Sequence, residues 1–316
     1  MFARPWLALF SAAVIFGTSS AGATGPAQIV MGTATPGGGF PIYGEAVVRT
    51  IAKTDPDLRI EARNTRGSTE NIPLLETGKL DIALVQGEAA YEALQGVGRP
   101  PANLTIIAAM YSTPGMFVVR TDSPYRSISD LRGKPVAFGA RGSGLVILAR
   151  YVLDGLGLDM DKDFQAVYLE RAGDGPAMVA DGRVAALWGG GSNWPGFVAV
   201  ADSASGGRFI VPDEREIAAV RARHGFLKEL TLPGNSFKGQ AAPLTSVGSW
   251  SFVMARPALP EDTAYRLAKA LDKGEQIIAE LLPQARETTA RNTATVAPES
   301  FLHPGALKYL REIGQK

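Results

Sequence analysis

Residues 32–41 read GTATPGGGFP, and this glycine-rich stretch indicates the fold more strongly than any other. The apolar run of residues 28–31 before it predicts a short buried strand, and apolar residues at helical spacing after it predict a helix. Pro41 suits the first turn of that helix, where its missing N–H is not needed. Such a turn presents backbone N–H groups that favour negative charge. A flexible turn without a ligand is the alternative for this stretch alone.

The rest of the chain alternates predicted strands and helices in two blocks. From residue 28 to residue 111 strands are separated by single helices, which is typical of βαβ units and a mostly parallel sheet. A strand at 116–120 leads into a second block, where the alternation restarts. Residues 231–248 predict a loop, 249–255 a strand that returns to the first block, and 259–282 one long helix.

Two further stretches carry a family resemblance. Residues 67–71 read GSTEN and residues 74–86 read LLETGKLDIALVQ. With the first stretch they resemble the solute receptors of TRAP transporters, specifically the TAXI type, which have a G-S-x-E-N turn and an L-L-x-x-G-x-x-D helix before a strand ending in Gln. The resemblance continues to residues 301–309, FLHPGALKY, and covers nearly all of the mature chain.

This resemblance implies a two-lobed α/β fold of the periplasmic-binding type II class. Each lobe is expected to hold a mostly parallel sheet flanked by helices, with a hinge between the lobes. We predict lobe I at residues 24–113 plus 249–316 and lobe II at residues 114–248, with crossings near 112–116 and 247–250.

Residues 1–23 predict a cleavable export signal. Arg4 supplies the positive start, residues 6–16 are mostly apolar, and residues 21–23 are a small-residue cleavage site. An uncleaved anchor is the alternative. We expect a soluble, monomeric protein in the periplasm.

Composition excludes several classes of partner. The chain has no cysteine, so an exported form must rely on its core rather than on disulfides. It carries 32 Lys and Arg against 31 Asp and Glu, and Arg4 is the only charged residue of the predicted signal. The mature charge is therefore balanced, which argues against nucleic acid or an anionic membrane as the main partner.

The sequence offers little catalytic chemistry. His224 and His303 are isolated, whereas a zinc or hydrolase site would place them with acids or a nucleophile. His303 precedes Pro304 and is predicted to start a helix. Neither a nucleophile elbow nor a P-loop is present. We therefore predict a protein that is not an enzyme and that uses no cofactor or metal.

Small polar residues open three predicted helices, at 33–40, 67–69 and 142–144. Each start presents free N–H groups and hydroxyls, which would grip an anion if the starts faced one another across a cleft. Ordinary helix capping is the alternative. The resemblance implies that these segments face the ligand. The candidate ligand-binding residues are Thr33, Gly37, Gly38, Gly39, Phe40, Gly67, Ser68, Thr69, Asn71, Gln86, Arg141, Gly142, Ser143, Gly144, Gly190 and Ser192.

Arginine and tryptophan side chains add to this hypothesis. Arg66 and Arg141 are the cations nearest these turns, and arginine suits two-point recognition of a carboxylate. Trp194 follows a strand of the second block and would cover an apolar part of the ligand, with core packing or a surface loop as alternatives. Phe40 and Leu145 depart from the Tyr and Thr that the TAXI pattern usually has.

These observations predict an extracytoplasmic receptor for a small organic anion, either a carboxylate or an acidic amino acid. The resemblance implies delivery to the membrane permease of a TRAP transporter. The alternatives are a binding protein of an ABC importer of the nitrate, sulfonate or taurine type, and an enzyme on the same fold.

Overall fold

The computed structural model describes residues 27–316, so the predicted export signal lies outside the described residues. Within that range strands and helices alternate along most of the chain. The strands are β1 (Ala27–Gly32), β2 (Leu58–Arg63), β3 (Ile82–Val85), β4 (Thr105–Arg120), β5 (Pro135–Ala140), β6 (Gln165–Leu169), β7 (Ala186–Gly190), β8 (Gly207–Ile210), β9 (Lys228–Leu232) and β10 (Leu244–Ala255).

The helices flank these strands. They are α1 (Gly39–Thr54), α2 (Ser68–Glu76), α3 (Gly87–Gln95), α4 (Gly144–Gly155), α5 (Gly175–Ala180), α6 (Pro195–Asp202), α7 (Glu214–Arg223), α8 (Glu261–Lys273), α9 (Glu275–Leu281), α10 (Ala290–Val296) and α11 (Pro304–Glu312). Short 3₁₀ turns lie at Ser129–Leu131, Ala172–Asp174, Pro283–Glu287 and Glu299–Phe301. Across the described residues no helix is both long and apolar enough to cross a membrane.

In the first lobe, β1 is a central strand covered on both faces. It pairs in parallel with β2 and β3, with Ile29 opposite Ile60 and Met31 opposite Ile82. Ile29 and Met31 join one buried apolar cluster, whereas Val30 packs against a second cluster. A strand buried on both faces reads as a continuous apolar run, which is why residues 28–31 predict it.

Two long strands join the lobes. The first part of β4 pairs antiparallel with β10, and its last part pairs with β7 and β8. β10 begins beside β9 and ends beside β3. One mixed sheet therefore runs through both lobes, in the order β2-β1-β3-β10-β4-β7-β5-β6.

The second lobe has a separate apolar core. Here β5 pairs in parallel with β6 and β7, whereas β4 is antiparallel to β7. Aromatic side chains fill the centre, and the rings of Phe117 and Trp188 meet edge to face at 4.7 Å. The buried Trp188 Nε1 donates a hydrogen bond of 2.8 Å to the Leu145 carbonyl, which ties β7 to α4. Trp188 is thus a core residue.

The predicted two-lobed α/β fold is confirmed, but the expected mostly parallel sheet in each lobe is wrong, because β4 and β10 pair antiparallel with their neighbours. Some local corrections follow. The expected strand at 116–120 is the end of the continuous β4. Residues 231–248 are not all loop, because they include the end of β9 and the start of β10. The expected helix 259–282 is interrupted at Gly274, where a Cβ would overlap Thr50 of α1. We propose that the lobes divide on β4 and β10, at the predicted boundaries near residues 113 and 249.

Candidate functional site

Three helices begin at one cavity between the lobes. α1 and α2 belong to the first lobe and α4 to the second, and their N-termini line one cavity. The first N–H groups of a helix have no partner inside it, and that end carries positive partial charge. The predicted candidates that line the cavity are Gly38, Gly39, Phe40, Gly67, Ser68, Gln86, Ser143, Gly144 and Gly190.

The start of α2 is built around Ser68, which is only 1% exposed. Gly67 precedes the helix with a φ of 112°, a conformation that a side chain would strain. Ser68 is therefore the first residue of the helix rather than its cap. Its Oγ accepts a 3.1 Å hydrogen bond from the Gln86 backbone N–H. The Ser68 hydroxyl proton remains available to an acceptor in the cavity.

The start of α4 reaches this point from the second lobe. Ser143 caps the helix, because its Oγ accepts a 3.2 Å hydrogen bond from the Leu145 N–H. A Cβ on Gly144 would lie 2.5 Å from the Gln86 Cβ and 2.9 Å from the Ser68 Oγ. The lack of a side chain at position 144 therefore lets the N-terminus of α4 touch the first lobe.

Two buried polar side chains in the cavity wall have atoms without hydrogen-bond partners. Gln86 and Thr113 are each 3% exposed. Within the described part of the chain, Gln86 Nε2 and Thr113 Oγ1 have no partner at ordinary hydrogen-bond distance, although the Gln86 amide lies beside the Glu88 carboxyl group and acts to lower its pKa. An unsatisfied buried polar group costs about 1–3 kcal/mol. A ligand that supplies acceptor atoms would therefore recover this energy on binding.

Tyr111 and Trp194 form an aromatic side of the cavity. They are 3% and 5% exposed, and a Cβ on Gly39 would lie 3.4 Å from the Tyr111 hydroxyl and 3.3 Å from Trp194 Cδ1. Trp194 also packs edge to face on Phe197 at 4.9 Å, so it serves both the cavity and the core. Sequence reasoning missed Tyr111 and Thr113, because residues inside or beside the buried run of β4 give no local sign of ligand contact.

Arg66 is the only charged residue of the cavity wall, all of which the structure describes. Its side chain is 78% exposed and its Nε lies 3.5 Å from Glu70. The Glu70 carboxylate also accepts a 2.6 Å hydrogen bond from the Arg66 backbone N–H. Arg66 thus stands at the mouth of the cavity and adds positive charge there.

Direct contacts between the lobes flank the cavity. The Thr69 N–H and Oγ1 both donate to the Gly142 carbonyl, at 3.2 and 3.0 Å. On another side of the cavity, the Ala172 N–H donates to Thr35 Oγ1 at 3.2 Å. The structure is therefore a closed form, in which the lobes meet around the cavity.

Several predicted candidates are neighbours of the cavity rather than part of its wall. Thr33 Oγ1 donates to the Arg63 carbonyl at 3.0 Å, and Asn71 Nδ2 donates to the Thr33 carbonyl at 2.8 Å. Arg141 lies over the ring of Tyr168, 4.7 Å from its centre. Ligand contact by these residues stays a prediction. The candidates outside the wall are Thr33, Gly37, Thr69, Asn71, Arg141, Gly142 and Ser192.

Two carboxyl groups, one fully buried and one half-buried, lie near the cavity but do not line it. Glu88, two residues beyond Gln86, is fully buried, and burial raises its pKa to about 7. Glu287 accepts a 2.7 Å hydrogen bond from the Ser112 N–H, and burial raises its pKa as well. Both groups therefore belong to the support behind the cavity wall.

The two histidines have structural roles. His303 caps α11, because its Nδ1 accepts a 3.2 Å hydrogen bond from the Gly305 N–H. Burial lowers the pKa of His303. His224 Nε2 lies 2.7 Å from the Asp154 carboxylate, in the second lobe. The predicted role of His303 at a helix start is confirmed.

The fold is that of the periplasmic solute-binding proteins, with a cavity between the two lobes. A family model described as the NMT1-like family matches residues 31–314. The chain therefore belongs to the NMT1-like family.

Solved structures with the same fold include receptors for small molecules. One is the alkanesulfonate-binding protein SsuA from Xanthomonas axonopodis pv. citri bound to MOPS, with 19% identity, a TM-score of 0.51, and coverage of 92% of this chain and 85% of that one. PhnD1 from Prochlorococcus marinus in complex with methylphosphonate shows 13% identity, a TM-score of 0.54, and coverage of 92% and 100%. A putative L-cystine ABC transporter protein from Listeria monocytogenes shows 16% identity, a TM-score of 0.51, and coverage of 82% and 95%.

These findings correct the predicted family. The identification as a TAXI-type TRAP receptor is wrong, because the matching model is that of the NMT1-like family and the similar structures include an alkanesulfonate-binding protein. The expected TRAP permease partner is wrong for the same reason. The glycine-rich strand–turn–helix signature is a general device for placing N–H groups at a ligand, so it did not distinguish the transporter type.

Proposed function

We propose that the chain is an extracytoplasmic receptor that captures a small organic anion between its lobes and delivers it to the permease of an ABC importer. One observation carries the proposal of an anion: three helix N-termini and two unpaired buried side chains, Gln86 and Thr113, face the same closed cavity. Helix N-termini favour negative charge, and the unpaired groups favour a ligand rich in acceptor atoms.

The binding cycle follows from the two lobes. In the open form the solute would meet α1 and α2, with Ser68 and Gln86 in place. Rotation about β4 and β10 would then bring the start of α4 onto the solute and form the contacts between Thr69 and Gly142. Closure shields the anion from water, which strengthens each charge-assisted hydrogen bond to it.

Identification of the bound solute tests the anion directly. Protein purified without refolding is denatured, and the released small molecules are identified by mass spectrometry. A thermal-shift screen of carboxylates, sugars and amines follows, in which ligand at 100 times its dissociation constant should add about 2.7 kcal/mol of stability. Stabilisation by neutral sugars or cations alone would exclude an organic anion.

The importer class is supported by the family assignment and by a structural neighbour that is an ABC transporter component. Uptake of the identified solute in cells that carry the receptor gene and its transporter tests it. Vanadate, which blocks ATP hydrolysis by ABC transporters, should stop the uptake, whereas an uncoupler should act only as far as it depletes ATP. Uptake that survives vanadate but ends when the ion gradient collapses would overturn the ABC assignment.

Export is proposed from residues 1–23 and from the class of the fold. Secretion in a bacterial host should release a mature protein that begins near Thr24, and N-terminal sequencing of the periplasmic fraction measures this. Recovery of membrane-bound protein with Met1 intact would contradict cleavage and favour an anchored form.

A further inference from the structure

The cavity wall offers hydrogen-bond donors and no ionised acceptor. The Ser68 and Thr113 hydroxyls and the first N–H groups of the three helices supply donors, and Arg66 adds a cation at the mouth. The Gln86 amide also lies at the wall, beside the Glu88 carboxyl group. None of the residues that form this wall, which lies wholly in the described part of the chain, is an Asp or a Glu. The wall can donate hydrogen bonds to the oxygen atoms of a ligand, but it has no carboxylate that could pair with a ligand ammonium group.

The carboxyl groups around the cavity are either paired with neighbouring groups or kept largely neutral by burial. Glu70 accepts a hydrogen bond from the Arg66 backbone N–H and pairs with the Arg66 side chain. Glu287 accepts a hydrogen bond from the Ser112 N–H. Glu88 is fully buried, the Ser249 and Gln86 side chains lie beside its carboxyl group, and burial raises its pKa to about 7. Below that pH Glu88 is mostly neutral, so none of these three groups offers the ligand a free carboxylate.

The Trp194 ring on the aromatic side does not replace the missing carboxylate. An ammonium group can bind over the face of a tryptophan ring. Trp194 turns its Cδ1 edge towards Gly39, while its six-membered ring packs closely against Gly189 and Gly196. The edge of an indole carries positive partial charge and the Nε1 donor, so it repels a cation rather than attracting it.

We infer that this receptor takes carboxylates that lack an amino group and rejects the amino acids of the same carbon skeleton. The inference rests on the proposed function as an anion receptor and narrows its ligand class. A buried ammonium without an ionised partner is strongly unfavourable, because its lost hydration is not replaced. The sequence allowed either a carboxylate or an acidic amino acid as the ligand. The chemistry of the cavity wall favours the carboxylate without an amino group.

Matched ligand pairs test this inference on the wild-type protein. Each pair shares a carbon chain and differs by one amino group: propanoate and alanine, 4-methylpentanoate and leucine, butanedioate and aspartate, pentanedioate and glutamate. Isothermal titration at pH 6, below the raised pKa of Glu88, gives both dissociation constants after the native solute has been removed. In every pair with measurable binding, we expect the des-amino acid to bind at least about tenfold more tightly, equivalent to 1.4 kcal/mol.

The outcomes separate this inference from the proposed function. An amino acid that binds as well as its partner, or better, overturns the inference and leaves the anion receptor intact. Binding of sugars or cations alone would overturn both this inference and the proposed function as an anion receptor. If no pair binds, the solute that copurifies with the protein is treated with dansyl chloride, which labels amino groups, and is analysed by mass spectrometry. A released carboxylate without a primary amine supports the inference, and a released amino acid refutes it.

A designed carboxylate in the wall provides an independent test. Thr113→Asp places an acid at a position that is 3% exposed and lines the cavity, and Thr113→Asn is the neutral control of equal size. The aspartate should reduce the preference for the des-amino member of a binding pair by at least about tenfold relative to the asparagine control. Equal preferences in two folded variants would show that charge in the wall does not set the selectivity.

Discussion

Replacement of Gly37 by alanine should hold the lobes apart, because the added methyl group would meet Gly173 of the other lobe. Gly37 has a φ of +84°, and a Cβ there would lie 2.6 Å from the Gly173 nitrogen of the other lobe and closer still to its Cα. An unstrained carbon contact needs about 3.5 Å or more. The alanine variant can therefore reach the closed form only if the two segments move apart by roughly 1 Å.

The cost of this separation follows from the contacts that it breaks. The Ala172 N–H donates to Thr35 Oγ1 at 3.2 Å, and the Gly173 N–H donates to the Pro36 carbonyl at 3.4 Å. At about 0.5–1.5 kcal/mol each, their loss disfavours closure by about 1–3 kcal/mol. Because binding is coupled to closure, the affinity should fall by a factor of about 5 to 150.

Gly78→Ala is the matched control. Gly78 has a φ of +69°, yet nothing lies within 4 Å of the position of its Cβ. In both variants the backbone strain destabilises the protein by about 1–2 kcal/mol, but only the alanine at position 37 would clash with the opposite lobe. Isothermal titration measures the affinity, and small-angle X-ray scattering with ligand measures the closure. Wild-type affinity and full compaction in Gly37→Ala would refute the reasoning.

Three further predictions concern the cavity and its support. Ser68→Ala should leave the Gln86 N–H unpaired, which lowers the free energy of unfolding by about 1–3 kcal/mol, and should weaken ligand binding by about 1.5–3 kcal/mol. Thermal melting measures the first effect and calorimetric titration the second. A lower melting temperature with wild-type affinity would give Ser68 a purely structural role. Arg66→Ala should cost less than about 1 kcal/mol of affinity, and the loss should shrink with added salt, because the side chain is mostly exposed. The pKa of Glu88 is raised from 4.5 to about 7 in the folded state. Glu88 therefore contributes fully to folding stability below pH 4.5, and this contribution is lost as the pH rises through 7. Glu88→Gln should therefore remove a decline of roughly 3 kcal/mol between pH 4.5 and 8 in denaturant unfolding, and an unchanged slope would contradict this.

The local elements were largely predictable from the sequence. Residues 28–31 and 82–85 are apolar runs bounded by Gly or Gln, and both are buried strands. The errors fall where distant pairing decides the structure. Residues 231–248 look like a loop, yet Leu244 lies opposite Leu232 and turns the segment into an antiparallel pair. Propensity within a window does not include a partner strand, so pairing overrides it.

The candidate site was predictable in part, for a related reason. The starts of α1, α2 and α4 could be found because glycine, serine and proline mark helix starts locally. Tyr111, Thr113 and Trp194 could not be placed reliably, because their positions depend on how β4 and the segment after β7 face α1. Thr33 and Asn71 lie beside the cavity wall, where their side chains donate to backbone carbonyls, and their contact with a ligand stays a prediction.

The sequence by itself determined the alternating α/β elements, the three polar helix starts and the prediction of a two-lobed receptor, because each rests on short-range patterns. Only the tertiary structure decided which of those helix starts face one another. It brought Gly144 of one lobe against Ser68 and Gln86 of the other, across 58 to 76 positions of chain. It also showed a wall without carboxylates, since the charge around a cavity depends on which side chains the fold turns inward.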